Sequence, residues 1–140
     1  MNVAVVYIGK DDKTEKLAED MAIYAGTNIT LVNEFDFRQR VDLLMIGFNE
    51  KLVGKPKDVI SFINKLDRKY IKNLALFSTF KVSQKSSVQV LRACQNNDLP
   101  LMRQSYTVKM PLVHSHLTED ILEGGRVFMY DMMTIVNNYY

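Results

Sequence analysis

Apolar and polar positions along the chain alternate between two periods. Val3, Ala4, Val5, Val6 and Ile8 form a near-continuous apolar, β-branched run, as expected of a strand covered on both faces. After a polar stretch, Leu17, Ala18, Met21, Ala22 and Ala25 recur at helical spacing following Thr14, and Gly26 stands where a helix ends in a left-handed cap. The same alternation continues. Residues 29–35 (ITLVNEF), 42–48 (DLLMIGF), 74–80 (LALFSTF) and 101–110 read as further strands, the last more alternating and therefore placed at a sheet edge. Between them, Pro56 opens a helix carrying Val59, Ile60, Phe62, Ile63 and Leu66. Ser83, Ser86 and Ser87 offer caps for one carrying Val88, Val90, Leu91 and Cys94, ended by Asn96-Asn97-Asp98 and Pro100. Thr118 is the expected N-cap of a last helix with Val127, Phe128, Met132, Ile135 and Val136 on one side, and the Gly124-Gly125 pair is the point at which it would break or kink. The connection after residue 35 is polar and too short for a helix.

Strands separated by helices, with right-handed crossovers, predict an α/β fold. The expected form is a doubly wound, five-stranded parallel sheet in the order 2-1-3-4-5 with helices on both faces. Residues 1–140 then form one domain, with ligands expected beyond the C-terminal ends of the strands. The turn between the first strand and first helix is the natural place for chemistry, because a helix N-terminus turns unpaired N–H groups toward that edge and favours an anion.

Composition narrows the function. A formal net charge of +2 with interspersed acids and bases gives no basic stripe, so no nucleic-acid partner is expected. No apolar window is long enough to span a bilayer and Asp11 and Asp12 arrive too early for a secretory signal, so a soluble, cytoplasmic protein is expected. The single cysteine, Cys94, sits on an apolar helical pattern and reads as a buried small hydrophobe. His114 and His116, with Glu119 or Asp120, are the one candidate metal pair, and their plain reading is exposed loop histidines. No Ser/His/Asp or Cys/His constellation supports hydrolytic or transferase chemistry. The eight methionines fall at core spacing, and Tyr130, Tyr139 and Tyr140 form either a frayed helix end or the seed of a dimer face. The oligomeric state is not legible. The basic run Arg68, Lys69 and Lys72 reads as a solvated turn, with docking to an acidic redox partner as the alternative.

The first turn, Gly9-Lys10-Asp11-Asp12-Lys13-Thr14, resembles the phosphate loop of the flavodoxin family, Ser/Thr-x-Thr-Gly-x-Thr. Tyr7, Lys16-Leu17-Ala18, Gly47-Phe48, Gly54-Lys55-Pro56 and Lys109-Met110-Pro111 also look like family positions. The resemblance implies a flavodoxin-like fold holding flavin mononucleotide (FMN) and passing electrons between a reductase and a redox partner protein. It implies cofactor contacts at Gly9, Lys10, Asp11, Asp12, Lys13, Thr14, Phe48, Asn49, Thr79 and Phe80. The sequence departs from the family in two places. Asp11 and Asp12 replace threonine and glycine, and residues 78–83 lack the family's glycine-rich loop. An alternative therefore stands beside the carrier: a flavodoxin-fold protein that has lost FMN and acts as a partner-binding, regulatory module. Asp11, Asp12, Thr79 and Lys109 also resemble parts of response-regulator receiver domains. Gly47 stands at the phosphoacceptor position, and neither Asn49 nor Glu50 replaces it, so no acyl phosphate is expected.

Overall fold

The computed structural model describes residues 1–50, 54–111 and 116–139. Strands β1 (Val3–Ile8), β2 (Ile29–Thr30), β3 (Leu43–Asn49), β4 (Leu74–Phe80) and β5 (Leu101–Lys109) alternate with helices α1 (Asp12–Tyr24), α2 (Lys57–Asn64), α3 (Lys85–Asn96) and α4 (Glu119–Tyr139). Every strand pairing is parallel and the order is β2-β1-β3-β4-β5, as the apolar runs predict. Successive side chains of a strand point to opposite faces, so each continuous apolar run feeds two cores. Ala4, Val6, Ile8, Leu44, Ile46 and Phe48 pack under α2 and α3, while Val5, Tyr7, Leu43, Met45 and Phe77 pack under α1 and α4.

Three expectations are corrected. The second strand is only Ile29–Thr30, followed by a single 3-10 turn, Val32–Glu34, with Leu31 and Val32 exposed. As the outermost strand it pairs with β1 alone, and Phe35 is drawn instead into edge-to-face contact with Phe62 of α2 at 5.2 Å. The Gly124-Gly125 pair does not break α4, which runs unbroken over 21 residues. These glycines allow close approach: a Cβ on Gly124 would meet the Tyr106 hydroxyl of β5, and one on Gly125 would lie 2.9 Å from Leu17 of α1. The α3 N-cap is Gln84, whose side chain makes no capping bond; Ser83 Oγ accepts the Lys85 N–H at 3.2 Å from just outside the helix.

Gly26 is left-handed (φ 82°) just beyond the Ala25 cap and turns the chain from α1 into β2. At the C-terminal edge of the sheet, β1, β3 and β4 end side by side, with Ile8 paired to Phe48 and Asn49 paired to Thr79. The N-termini of α1 and α3 therefore open onto one sheet edge.

Candidate functional site

β1 leaves the sheet through Gly9, whose φ of 151° suits glycine, and the exposed Lys10. A Cβ on Gly9 would stand 2.7 Å from the Tyr7 hydroxyl oxygen, so the glycine makes room for the tyrosine beneath the turn. That hydroxyl accepts the Asp11 N–H at 2.6 Å. Burial is the main reason the Tyr7 phenol is pushed up to about 12; the Asp11 N–H opposes the shift, and the charges of Asp11, Glu15 and Asp12 add to it. Tyr7 is a neutral phenol at physiological pH.

Asp11 is the N-cap of α1. Its Oδ2 accepts the Thr14 N–H at 3.0 Å and the Thr14 hydroxyl at 2.5 Å. Two of the donors that an incoming anion would use, the N–H and hydroxyl of Thr14, are thus committed to a carboxylate from the chain itself. Asp12 and Glu15 add negative charge to the same first turn, partly offset by Lys10, Lys13 and Lys16. Thr14 Oγ1 lies 2.6 Å from Thr79 Oγ1, and Asn49 Nδ2 donates to Thr79 Oγ1 at 2.8 Å. A hydroxyl has one proton, and that of Thr14 goes to Asp11, so Thr79 donates to Thr14. The result is a directed chain, Asn49 to Thr79 to Thr14 to Asp11, joining β3, β4 and α1 and ending on the carboxylate.

The other helix facing this edge is satisfied in the same way. Glu50, buried just past β3, accepts the Ser87 N–H in the first turn of α3 at 2.8 Å and the Ser78 hydroxyl at 3.4 Å. Sequence reasoning missed Glu50 as a cap; its only signal was an acidic residue directly after an apolar strand.

The structure thus brings together Gly9, Asp11, Thr14, Asn49 and Thr79, with Asp12 exposed and Lys13 half-exposed beside them. Lys10 points the turn toward its other side, where it lines a separate cavity. Phe80 is half-buried at the end of β4. Phe48 is 1% exposed and belongs to the core under α2 and α3, so it presents no face for stacking on a flavin ring. Gly47 lies inside β3 against the Phe77 ring, away from the strand end that a phosphoacceptor would occupy. His116 is exposed, while His114 and Tyr140 lie outside the described residues. Among the described residues no group of three or more His, Cys, Asp or Glu side chains could hold a metal ion, and no helix is long and apolar enough to cross a membrane.

These residues do not fit FMN. The phosphate would meet the Asp11 carboxylate where it needs N–H and hydroxyl donors, and one of the two aromatic rings proposed for the flavin is in the core.

No family model matches the chain, and no curated protein matches it. Solved structures do. A flavodoxin from the domain Archaea superposes with a TM-score of 0.71 at 13% identity, covering 99% of this chain and 100% of that one. Flavodoxin 2 from Bacillus cereus gives 0.69 at 13% identity, over 96% of this chain and 99% of that one. The rubredoxin oxygen:oxidoreductase of Desulfovibrio gigas gives 0.71 at 14% identity, with 97% of this chain matching 36% of the larger protein. At such identities the likeness is one of fold. The chain has the flavodoxin fold over nearly its whole length.

Proposed function

We propose that this flavodoxin-fold protein does not take FMN at its first turn and acts instead as a module that binds a protein partner. The observation that carries the reading is the Asp11 carboxylate, bonded to both the N–H and the hydroxyl of Thr14 in the place a phosphate would take. A phosphate charge about 4–6 Å from that carboxylate, at an effective dielectric near 20, costs roughly 3–4 kcal/mol per unit pair. The α1 dipole returns only about 0.3–2 kcal/mol.

The surface supports the partner half of the reading. Within residues 81–109, Lys81, Lys85, Arg92, Arg103 and Lys109 are all exposed, against Asp98 as the one acidic residue. Val82, Val88 and Leu91 are exposed among them, which suits an acidic partner segment with apolar anchors. The second reading is the FMN-dependent electron carrier, working between a reductase and a redox partner. It is favoured by Thr14, which keeps its family position at the α1 N-terminus, and by the fold shared with flavodoxins.

Titration with FMN, followed by quenching of flavin fluorescence, separates the two. The wild-type chain is expected to leave FMN free up to about 100 μM, an affinity weaker than about −5.5 kcal/mol. An Asp11→Thr, Asp12→Gly double variant removes both carboxylates and frees the backbone; with solvent screening lowering the repulsion to about 1.4–2.7 kcal/mol per carboxylate, FMN should tighten by about ten- to a hundredfold per change, not necessarily additively. Saturable micromolar binding by the wild type, with a yellow protein, would overturn the proposal and restore the carrier.

A further inference from the structure

The first turn has a second side. Opposite the α1 N-terminus, Ile8, Gly9 and Lys10 form one wall of a cavity of about 400 Å³ closed by Phe37 and by α2. It exists because the β2-to-β3 crossover builds only the single 3-10 turn, where a parallel sheet ordinarily places a full covering helix. Phe35, Phe37 and Phe62 then gather into one aromatic cluster, with ring centroids 5.0–5.2 Å apart. The hollow beside that cluster is left open.

It lies beyond the C-terminal end of β1, between the 3-10 turn that follows β2 and the α2 helix. Its volume falls in the ordinary range for small-molecule sites. The deep walls are the buried Ile8 and Phe62 with the half-buried Phe37. The rim carries Lys10, Lys65 and Asp58, all exposed and none in an ion pair among the described residues.

We propose that this cavity is a binding site for a small aromatic carboxylate. A flat ring packs against the half-buried Phe37, with the buried Phe62 behind it, and an exposed aromatic face favours stacked and edge-to-face partners over aliphatic ones. Two ammonium groups against one carboxylate leave the rim with one surplus positive charge, which favours an anionic ligand over a neutral one. The site does not depend on the partner-binding reading and uses the face of the turn away from Asp11.

The test uses 2-naphthoate as the probe and 2-naphthalenemethanol as its neutral counterpart, each titrated into ¹⁵N-labelled full-length protein and followed by amide shifts. Saturable shifts centred on Gly9, Lys10, Phe37 and Ser61 are expected with naphthoate, with clearly weaker binding of the alcohol. Reversing both rim cations (Lys10→Glu with Lys65→Glu) should weaken naphthoate by about tenfold or more and leave the alcohol unchanged. Ser61→Phe, at an exposed α2 position lining the cavity, should abolish both without altering the thermal melt. No saturation by about 5 mM naphthoate, shifts that persist in Ser61→Phe, or an alcohol that binds as well as the acid would each overturn the proposal.

Discussion

Replacing Asp11 with alanine tests whether this turn is a self-sufficient helix cap. The change deletes the acceptor of the Thr14 N–H bond at 3.0 Å and of the Thr14 hydroxyl bond at 2.5 Å. Truncating an aspartate N-cap costs about 1 kcal/mol, within a range of roughly 0.5–2. Loss of the carboxylate from the positive end of α1 contributes about 0.3–1 kcal/mol, some of it already inside that figure. The Thr14 hydroxyl still accepts from Thr79, and its proton turns to water entering the space vacated at the half-exposed position 11, so no full desolvation penalty is added. The sum is about 1–2 kcal/mol. For a chain of 140 residues, at roughly 3–4 °C per kcal/mol, Tm should fall by about 3–8 °C. Asp11→Asn keeps the capping oxygen and loses only the charge, so it should cost about 0.3–1 kcal/mol, less at high salt. Thermal and urea unfolding followed by circular dichroism measure both. An alanine variant within about 1 °C of wild type, or an asparagine variant as damaged as alanine, would refute the assignment.

Two further outcomes rest on burial. Gly47→Ala drives a Cβ into the Phe77 ring and should destabilise by about 1–3 kcal/mol or more in urea melts, with partial rescue when Phe77 is also trimmed to leucine. Burial pushes the Cys94 thiol from 9.0 up to about 12, so the native protein should resist iodoacetamide at pH 8 and react once unfolded. Cys94 and Tyr7 both hold their protons more tightly folded than unfolded, so the native state binds more protons above the ordinary values. Stability should therefore fall as pH rises from about 9, and more steeply from about 10, until both titrate near 12. Each group contributes a slope of about 1.4 kcal/mol per pH unit, and Cys94→Ala should remove the part that begins near 9. A flat profile in urea melts between pH 8 and 11 would contradict the burial argument.

How much of the fold and the first turn is legible in the sequence depends on what each element answers to. β1, β3 and β4 are buried runs whose composition leaves no other use, β5 is a partly exposed edge strand with a weaker pattern, and the limits of all four follow from the sequence within a residue or two. The second strand is overread because Leu31, Val32 and Phe35 look like strand residues, whereas Phe35 answers to Phe62 of α2, far along the chain. Gly124 and Gly125 read as breakers because their value lies in Tyr106 and Leu17, which only tertiary packing brings opposite them. The first turn is legible as a place, but a sequence shows only that Asp11 and Asp12 are acidic. That Asp11 turns its carboxylate inward as a cap, while Asp12 remains exposed, is set by the backbone between Gly9 and Thr14. Phe48 and Phe80 differ in the same way: both end apolar strands, yet one is in the core and the other half-exposed.

A helix that opens onto the C-terminal edge of a parallel sheet leaves its first N–H groups without intrahelical partners, and something must meet them. If a ligand does, the unliganded fold goes short of those bonds and its stability becomes linked to ligand concentration. If the chain does, the fold is complete alone, but the edge no longer attracts an anion. Here Asp11 meets α1 and Glu50 meets α3, each with a carboxylate that takes one first-turn N–H and puts negative charge at the helix N-terminus. Tyr7 completes the closure by taking the Asp11 N–H from below. Cations near this edge stand apart from the two caps. Lys10 and Lys65 face the aromatic hollow on the α2 side, and Arg103 and Lys109 stand exposed on the outer strand. Internal capping follows from the acids at the first turn and the hollow from the short β2-to-β3 crossover, so reversing Asp11 and Asp12 should reopen the first site while leaving the hollow unchanged.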